Sequence, residues 1–84
     1  MAKPPETVAA VIPHWNRADL LAALLENLPK QDRRPDQVIV VDNGSTDHSK
    51  EVAERFGVQF LALGRNYGFA HAVNRGVEAL STVL

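Results

Sequence analysis

The chain has 84 residues, 45% of them hydrophobic, with nine Lys and Arg against ten Asp and Glu and no cysteine. A net charge of −1 gives no long-range attraction to nucleic acid or to an anionic lipid surface. The lack of cysteine excludes disulfides and thiolate metal sites, and no apolar run approaches the roughly 20 residues needed to cross a bilayer.

Residues 1–6, with Pro4 and Pro5 among charges, read as a flexible leader rather than a signal peptide, so the expected location is the cytoplasm. Residues 7–12 (Thr-Val-Ala-Ala-Val-Ile) are a short apolar run, read as a buried strand stopped by Pro13. Asn16 is expected to cap the next helix, with Asp19 as a capping-box acid three residues on. Leu20, Leu21, Leu24, Leu25 and Leu28 then recur at helical spacing as one apolar stripe, which Pro29 ends. The charged stretch 30–36 reads as a surface loop.

The run Val38-Ile39-Val40-Val41 marks a strand over 37–42, apolar enough to be buried on both faces in the middle of a parallel sheet. Asp42 ends it, and Asn43-Gly44 supply turn residues that tolerate positive φ. Asp47 is placed to cap a helix reaching Phe56, with Val52, Ala53 and Phe56 inward and Gly57 as its left-handed end. Residues 58–63 read as a third strand, Val58, Phe60 and Ala62 alternating against Gln59 and Leu61. After a loop over 64–68, Phe69, Val73, Val77 and Leu80 mark the inward face of a third helix. The order β-α-β-α-β-α predicts an α/β fold with a parallel sheet and right-handed crossovers. Three strands with an open edge read as the N-terminal piece of a larger domain, or as a piece that pairs with another chain or with itself through the first strand.

In such a sheet the strand C-termini share one rim, where ligands of open α/β proteins bind. The rim here collects Pro13, His14, Trp15 and Asn16, then Asp42, Asn43, Gly44 and Ser45, then Gly64, Arg65, Asn66, Tyr67 and Gly68. These are parts for holding a nucleotide. Trp15 can stack on a base, Asp42 can accept from a base N–H or a ribose hydroxyl, and Arg65 or a backbone amide can meet phosphate. Each residue also has a plain structural use. Trp15 can cover the sheet's end, Asp42 can close an Asx-turn, and Arg65 can be a solvated cation. Asn66 and Gly68 are turn formers, and His14, His48 and His71 lack metal-ligand spacing. No residue carries the case alone; the convergence does. Neither G-x-G-x-x-G nor G-x-x-x-x-G-K-[ST] occurs.

Three blocks together resemble family 2 glycosyltransferases. They are Val11-Ile12-Pro13-His14-Trp15-Asn16-Arg17, the run Val-Val-Asp-Asn-Gly-Ser-Thr-Asp at 40–47, and Asn66-Tyr67-Gly68-Phe69-Ala70 through Asn74-Arg75-Gly76. The resemblance implies half of a Rossmann-like GT-A fold over 7–84, a nucleotide-diphospho-sugar donor and inversion at the anomeric carbon. It implies that Trp15 and Asp42 contact the donor's base and that the loop at 66–68 lies beside the nucleotide. The Trp-Asn form is similar to the rhamnosyltransferase-like branch, which tilts the donor toward a deoxythymidine-diphosphate sugar over a uridine one.

The chain departs from the family's usual tyrosine or phenylalanine at Trp15 and small residue or threonine at His14. It also contains no Asp-x-Asp. The resemblance implies a magnesium or manganese ion and a carbohydrate or lipid-linked acceptor for the full-length enzyme, in polysaccharide synthesis and peripheral at the inner membrane face. The 84 residues themselves are expected to hold no cation and to lack the acceptor base, and so to recognise a nucleotide without catalysing transfer. A stand-alone regulatory module or a structural fragment is the alternative.

Overall fold

The computed structural model describes residues 8–31 and 35–83. The expected leader at 1–6 and part of the loop at 30–36 lie outside them. The elements are β1 (Ala9–His14), α1 (Ala18–Asn27) with a 3-10 turn at Leu28–Lys30, β2 (Gln37–Asp42), α2 (Ser49–Phe56), β3 (Gln59–Ala62) and α3 (Phe69–Val83). The three strands are parallel in the order β1-β2-β3. The expected alternating α/β architecture is what the chain adopts. Register decides what the rim can do: His14 pairs with Asp42 and Asp42 with Ala62, so the three strand ends stand in one row.

The central strand is sandwiched as its composition requires. Val40 packs with Ala18, Leu21, Leu25 and Val52 of α1 and α2 on one face. On the other face Ile39 and Val41 pack with Ala72 and Leu80 of α3. Val40 and Val41 are wholly removed from solvent, each contributing about 1.5–3 kcal/mol of burial free energy. Gly57 ends α2 at φ 69°, as expected for a left-handed C-terminal residue.

Several expectations fail for identifiable reasons. β1 runs through Pro13 to His14 instead of stopping before it. It lies at the edge of the described sheet, where a residue without an N–H is tolerated. Asn16 does not cap α1. It sits at φ 49°, Arg17 holds the N-cap position without a side-chain cap bond, and the bond to Ala18 N–H comes from Asp47. Asp19 instead pairs with Arg17 at 3.4 Å, an exposed contact that lowers its pKa. The leucine stripe splits: Leu21 and Leu25 are buried and Leu28 packs on them, but Leu20 and Leu24 are exposed.

α2 starts at Ser49, two residues later than expected, because Asp47 works from outside the helix. β3 is shorter than 58–63, and Leu61 is not on the outer side: with Leu63 it packs on the α3 face. Ala62, expected inward, is exposed. On α3 the inward residues are Ala72, Gly76, Ala79 and Leu80, while Phe69 and Val77 are exposed. The cause is close approach. A Cβ on Gly76 would lie 2.4 Å from Val11 Cγ1 and 2.9 Å from Val41 Cγ2, so small residues face the sheet.

Candidate functional site

Asp42 ends β2 with its carboxylate turned back on its own loop. Oδ2 accepts from the Ser45 N–H at 2.8 Å and Oδ1 accepts from the Ser45 hydroxyl at 2.5 Å. Asp42 is therefore 4% exposed and closes an Asx-type turn around Asn43 and Gly44. Gly44, at φ 86°, lets the β3–α3 loop pass over it, since a Cβ there would lie 2.7 Å from Arg65 Cα. That close approach joins the second and third loops.

The remaining stitches are side chain to backbone. Asn43 donates its N–H to the His14 carbonyl at 2.8 Å, and its Oδ1 accepts from the Tyr67 N–H at 3.2 Å. One residue thus ties the first loop to the third. Ser45 Oγ, besides donating to Asp42, accepts from the Asn16 N–H at 2.8 Å. Asn16 returns the link, its Oδ1 accepting from the Thr46 N–H at 2.7 Å. Its left-handed backbone turns the chain between β1 and α1, a conformation that asparagine adopts more readily than most residues. Asp47 serves two helix starts, Oδ2 accepting from Ala18 N–H and Oδ1 from Ser49 N–H. Hydrogen bonds hold its carboxyl below the usual carboxylate range, that from the Ser49 hydroxyl foremost.

Above this network stand exposed groups. Trp15 is 53% exposed, although both its chain neighbours are anchored. A groove of about 270 Å³ runs beside it, lined by Ile12, Pro13, Arg17, Leu20 and Leu24 among others. Arg65 places its guanidinium 5.2 Å from the centre of the Tyr67 ring, and Tyr67 in turn lies 4.7 Å from the His71 ring. Asn66 Oδ1 accepts from the Gly68 N–H at 2.8 Å and folds the loop into the start of α3. A larger cavity of about 420 Å³, between Leu25, Leu28, Phe56 and Val58 with Asp36 at its wall, opens at the opposite rim.

The structure thus brings Asn16, Asp42, Asn43, Gly44 and Ser45 into one connected rim and leaves Trp15, Arg65, Asn66 and Gly68 exposed around it. Pro13 is half-buried inside β1. Sequence reasoning placed His14 and Tyr67 on the rim without a role and missed Ser49, and it used Asp47 for one helix where it serves two. For Asp47 and Ser49 a readable signal existed, the Asp-x-Ser spacing before a helix. His14 and Ser49 are 35 residues apart, and nothing local joins them.

The profile of Glycosyl transferase family 2 matches residues 9–82. The chain belongs to that family. Among its curated relatives, an undecaprenyl-phosphate 4-deoxy-4-formamido-L-arabinose transferase of Serratia proteamaculans is 38% identical over 88 residues, covering 94% of this chain and 27% of its own length. A galactofuranosyltransferase of Mycolicibacterium smegmatis is 40% identical over 67 residues, covering 77% of this chain and 22% of its own. The chain spans about a quarter of the length of these relatives.

Among solved structures, a Pyrobaculum calidifontis mannosyltransferase in complex with GDP-Man and Mn2+ superposes with TM-score 0.77 at 28% identity, over 86% of this chain and 24% of that one. Glucosyl-3-phosphoglycerate synthase of Mycobacterium tuberculosis in complex with UDP gives 0.74 at 25% identity, over 87% and 29%. The glycosyltransferase fold places the rim in context but adds no metal ligands to it. Among the described residues no three of His, Asp or Glu stand close enough to share a cation. The Asp42 oxygens, moreover, already accept from Ser45. The described residues therefore do not form the divalent-cation site that the resemblance implies for the full-length enzyme. Nor is any helix among them long and apolar enough to cross a membrane.

Proposed function

We propose that this chain is the part of an inverting family 2 glycosyltransferase that recognises the nucleotide of a nucleoside-diphosphate sugar. The observation that carries the reading is the exposed indole of Trp15 held between two anchored residues, beside the row of strand ends. A flat ring on an anchored backbone and open to solvent suits base stacking, worth about 1–3 kcal/mol per base in single-strand nucleic-acid complexes. The Asp42–Ser45 turn and the 64–68 loop supply polar groups around it, with Arg65 available to a diphosphate. Related solved structures carry UDP or GDP-mannose, which supports a nucleoside diphosphate as the ligand class. Within it we favour a pyrimidine, uridine or deoxythymidine, from the likeness of the Trp-Asn block to rhamnosyltransferase-like sequences.

Transfer requires positive charge against the leaving diphosphate and a base for the acceptor hydroxyl. The rim's second carboxylate, Asp47, is taken up by the starts of α1 and α2, so the 84 residues alone are expected to bind without transferring, with magnesium or manganese present or not. The carbohydrate or lipid-linked acceptor would meet other parts of the full-length protein. Self-association along the open edge of β1 is a separate expectation, which a monomeric mass by light scattering at high concentration would remove.

Trp15 is the chain's single tryptophan, so its emission reports the site directly. Titration with UDP and dTDP should quench or shift it, with affinity on the order of millimolar, about −4 kcal/mol. Emission unchanged by both diphosphates, or adenosine binding as well as either, would overturn the reading.

A further inference from the structure

His14 closes β1 and is 8% exposed, yet the chemistry proposed above leaves it unused. Its Nε2 lies 2.7 Å from the hydroxyl of Ser49, a fully buried residue in the first turn of α2. That hydroxyl also contacts Asp47 Oδ1. The directions of these bonds follow from what each group can donate. Asp47 is ionised at neutral pH and only accepts, so the single hydroxyl hydrogen of Ser49 goes to it. Nε2 must then carry the hydrogen that Ser49 Oγ accepts. Burial holds the ring's pKa below its ordinary value, against the opposing pull of Asp42 and Asp47, so the ring is the neutral Nε2–H tautomer.

The chain of bonds has a mechanical consequence. Asp47 Oδ2 continues it to the N-terminus of α1. His14 is held at its backbone as well, its carbonyl accepting from Asn43. On the far side of Trp15, Asn16 is fixed by Ser45 and Thr46. The indole is therefore free, but the backbone that aims it is clamped on both sides. The His14 clamp is the side that reaches through a buried ring into another helix.

We propose that His14 is a positioning residue, whose Nε2–H, through Ser49 and Asp47, locks the Trp15 backbone to the starts of α2 and α1 and so sets the aim of the indole. The bond chain stands without the nucleotide reading; its effect on affinity rests on that reading.

Glutamine can present an amide N–H where the imidazole Nε2 stands, whereas phenylalanine fills the space and donates nothing. His14→Gln should therefore bind UDP within about threefold of the parent chain, while His14→Phe should bind about tenfold more weakly, the scale of one lost hydrogen bond. Ser49→Ala should match His14→Phe and supplies the same test if the phenylalanine variant fails to fold. Acrylamide quenching of Trp15 without ligand should be parent-like in His14→Gln and altered in the other two. Long-range proton–nitrogen correlation should find Nε2 protonated and Nδ1 bare at neutral pH. The opposite tautomer, glutamine as damaging as phenylalanine, or parent-like quenching in all three variants would overturn the proposal. If the parent binds no nucleotide, the functional reading fails, while the quenching and the tautomer still decide the role of His14.

Discussion

At the C-terminal rim of the sheet, Asp42, Asn43, Ser45, Asn16 and Asp47 each bond to a neighbouring backbone, and the loops touch closely enough to require Gly44. At the N-terminal rim the ends of β2 and β3 meet the last turns of α1 and α2 through Leu25, Leu28, Phe56 and Val58 around a cavity of about 420 Å³. Polar bonds there tie Val8 to the start of β2: Val8 donates its N–H to Asp36 Oδ2 at 2.7 Å, and its carbonyl accepts from the N–H groups of Asp36 at 2.7 Å and Gln37 at 3.3 Å. Directional bonds fix loops to fractions of an ångström, whereas apolar contact tolerates repacking. Precision is thus concentrated on the rim that carries Trp15.

The largest blow to that asymmetry should come from Gly44→Ala. Left-handed backbone costs a non-glycine residue about 1–2 kcal/mol, and forcing a Cβ against the Arg65 backbone adds about 1–3 kcal/mol. Urea denaturation should show a loss of about 2–4 kcal/mol, and a loss below about 0.5 kcal/mol would mean that the loops are not in contact. Asp47→Ala comes next. It frees the Ala18 and Ser49 N–H groups together, and the expected loss is about 2 kcal/mol by the same measurement.

The legibility of the chain follows the same division. The β-branched run of β2 and the left-handed Gly57 were readable because their causes are local: side-chain shape and backbone freedom. The α1 start was not, since its cap comes from Asp47, 29 residues away. α3 misled for another reason. Phe69 and Val77 are apolar but exposed, while Gly76 and Ala72 are small and buried, because the helix lies too close to Val11 and Val41 for larger residues. The loops that form the rim were found from the sequence; the side chains that bind them together, His14 and Ser49 above all, bridge distances that no local pattern records.

Acid should weaken the stitched rim in two stages. The folded state depresses the His14 pKa below 6.5, so the unfolded chain takes up that proton first. The stability it contributes is complete above about pH 6.5 and declines as pH falls toward the folded value. Asp47, also depressed, contributes stability that is complete above its ordinary 3.8 and is lost as pH falls through its lower folded value. Thermal midpoints followed from pH 8 to pH 3 should therefore fall twice, and His14→Gln should remove the first fall alone. The smallest effect is expected at the other rim. Val58→Ile adds one methylene beside open space and should change stability by less than about 1 kcal/mol.

The most direct measurement maps a nucleotide onto the two rims at once. Amide chemical shifts of the chain, recorded during titration with UDP and with an adenosine control, report every described loop in one experiment. The expected result is UDP-dependent change concentrated in residues 13–16, 42–45 and 64–68, with little change around Leu28, Phe56 and Val58. Changes centred on the cavity of the N-terminal rim, or an equal response to adenosine, would contradict the account.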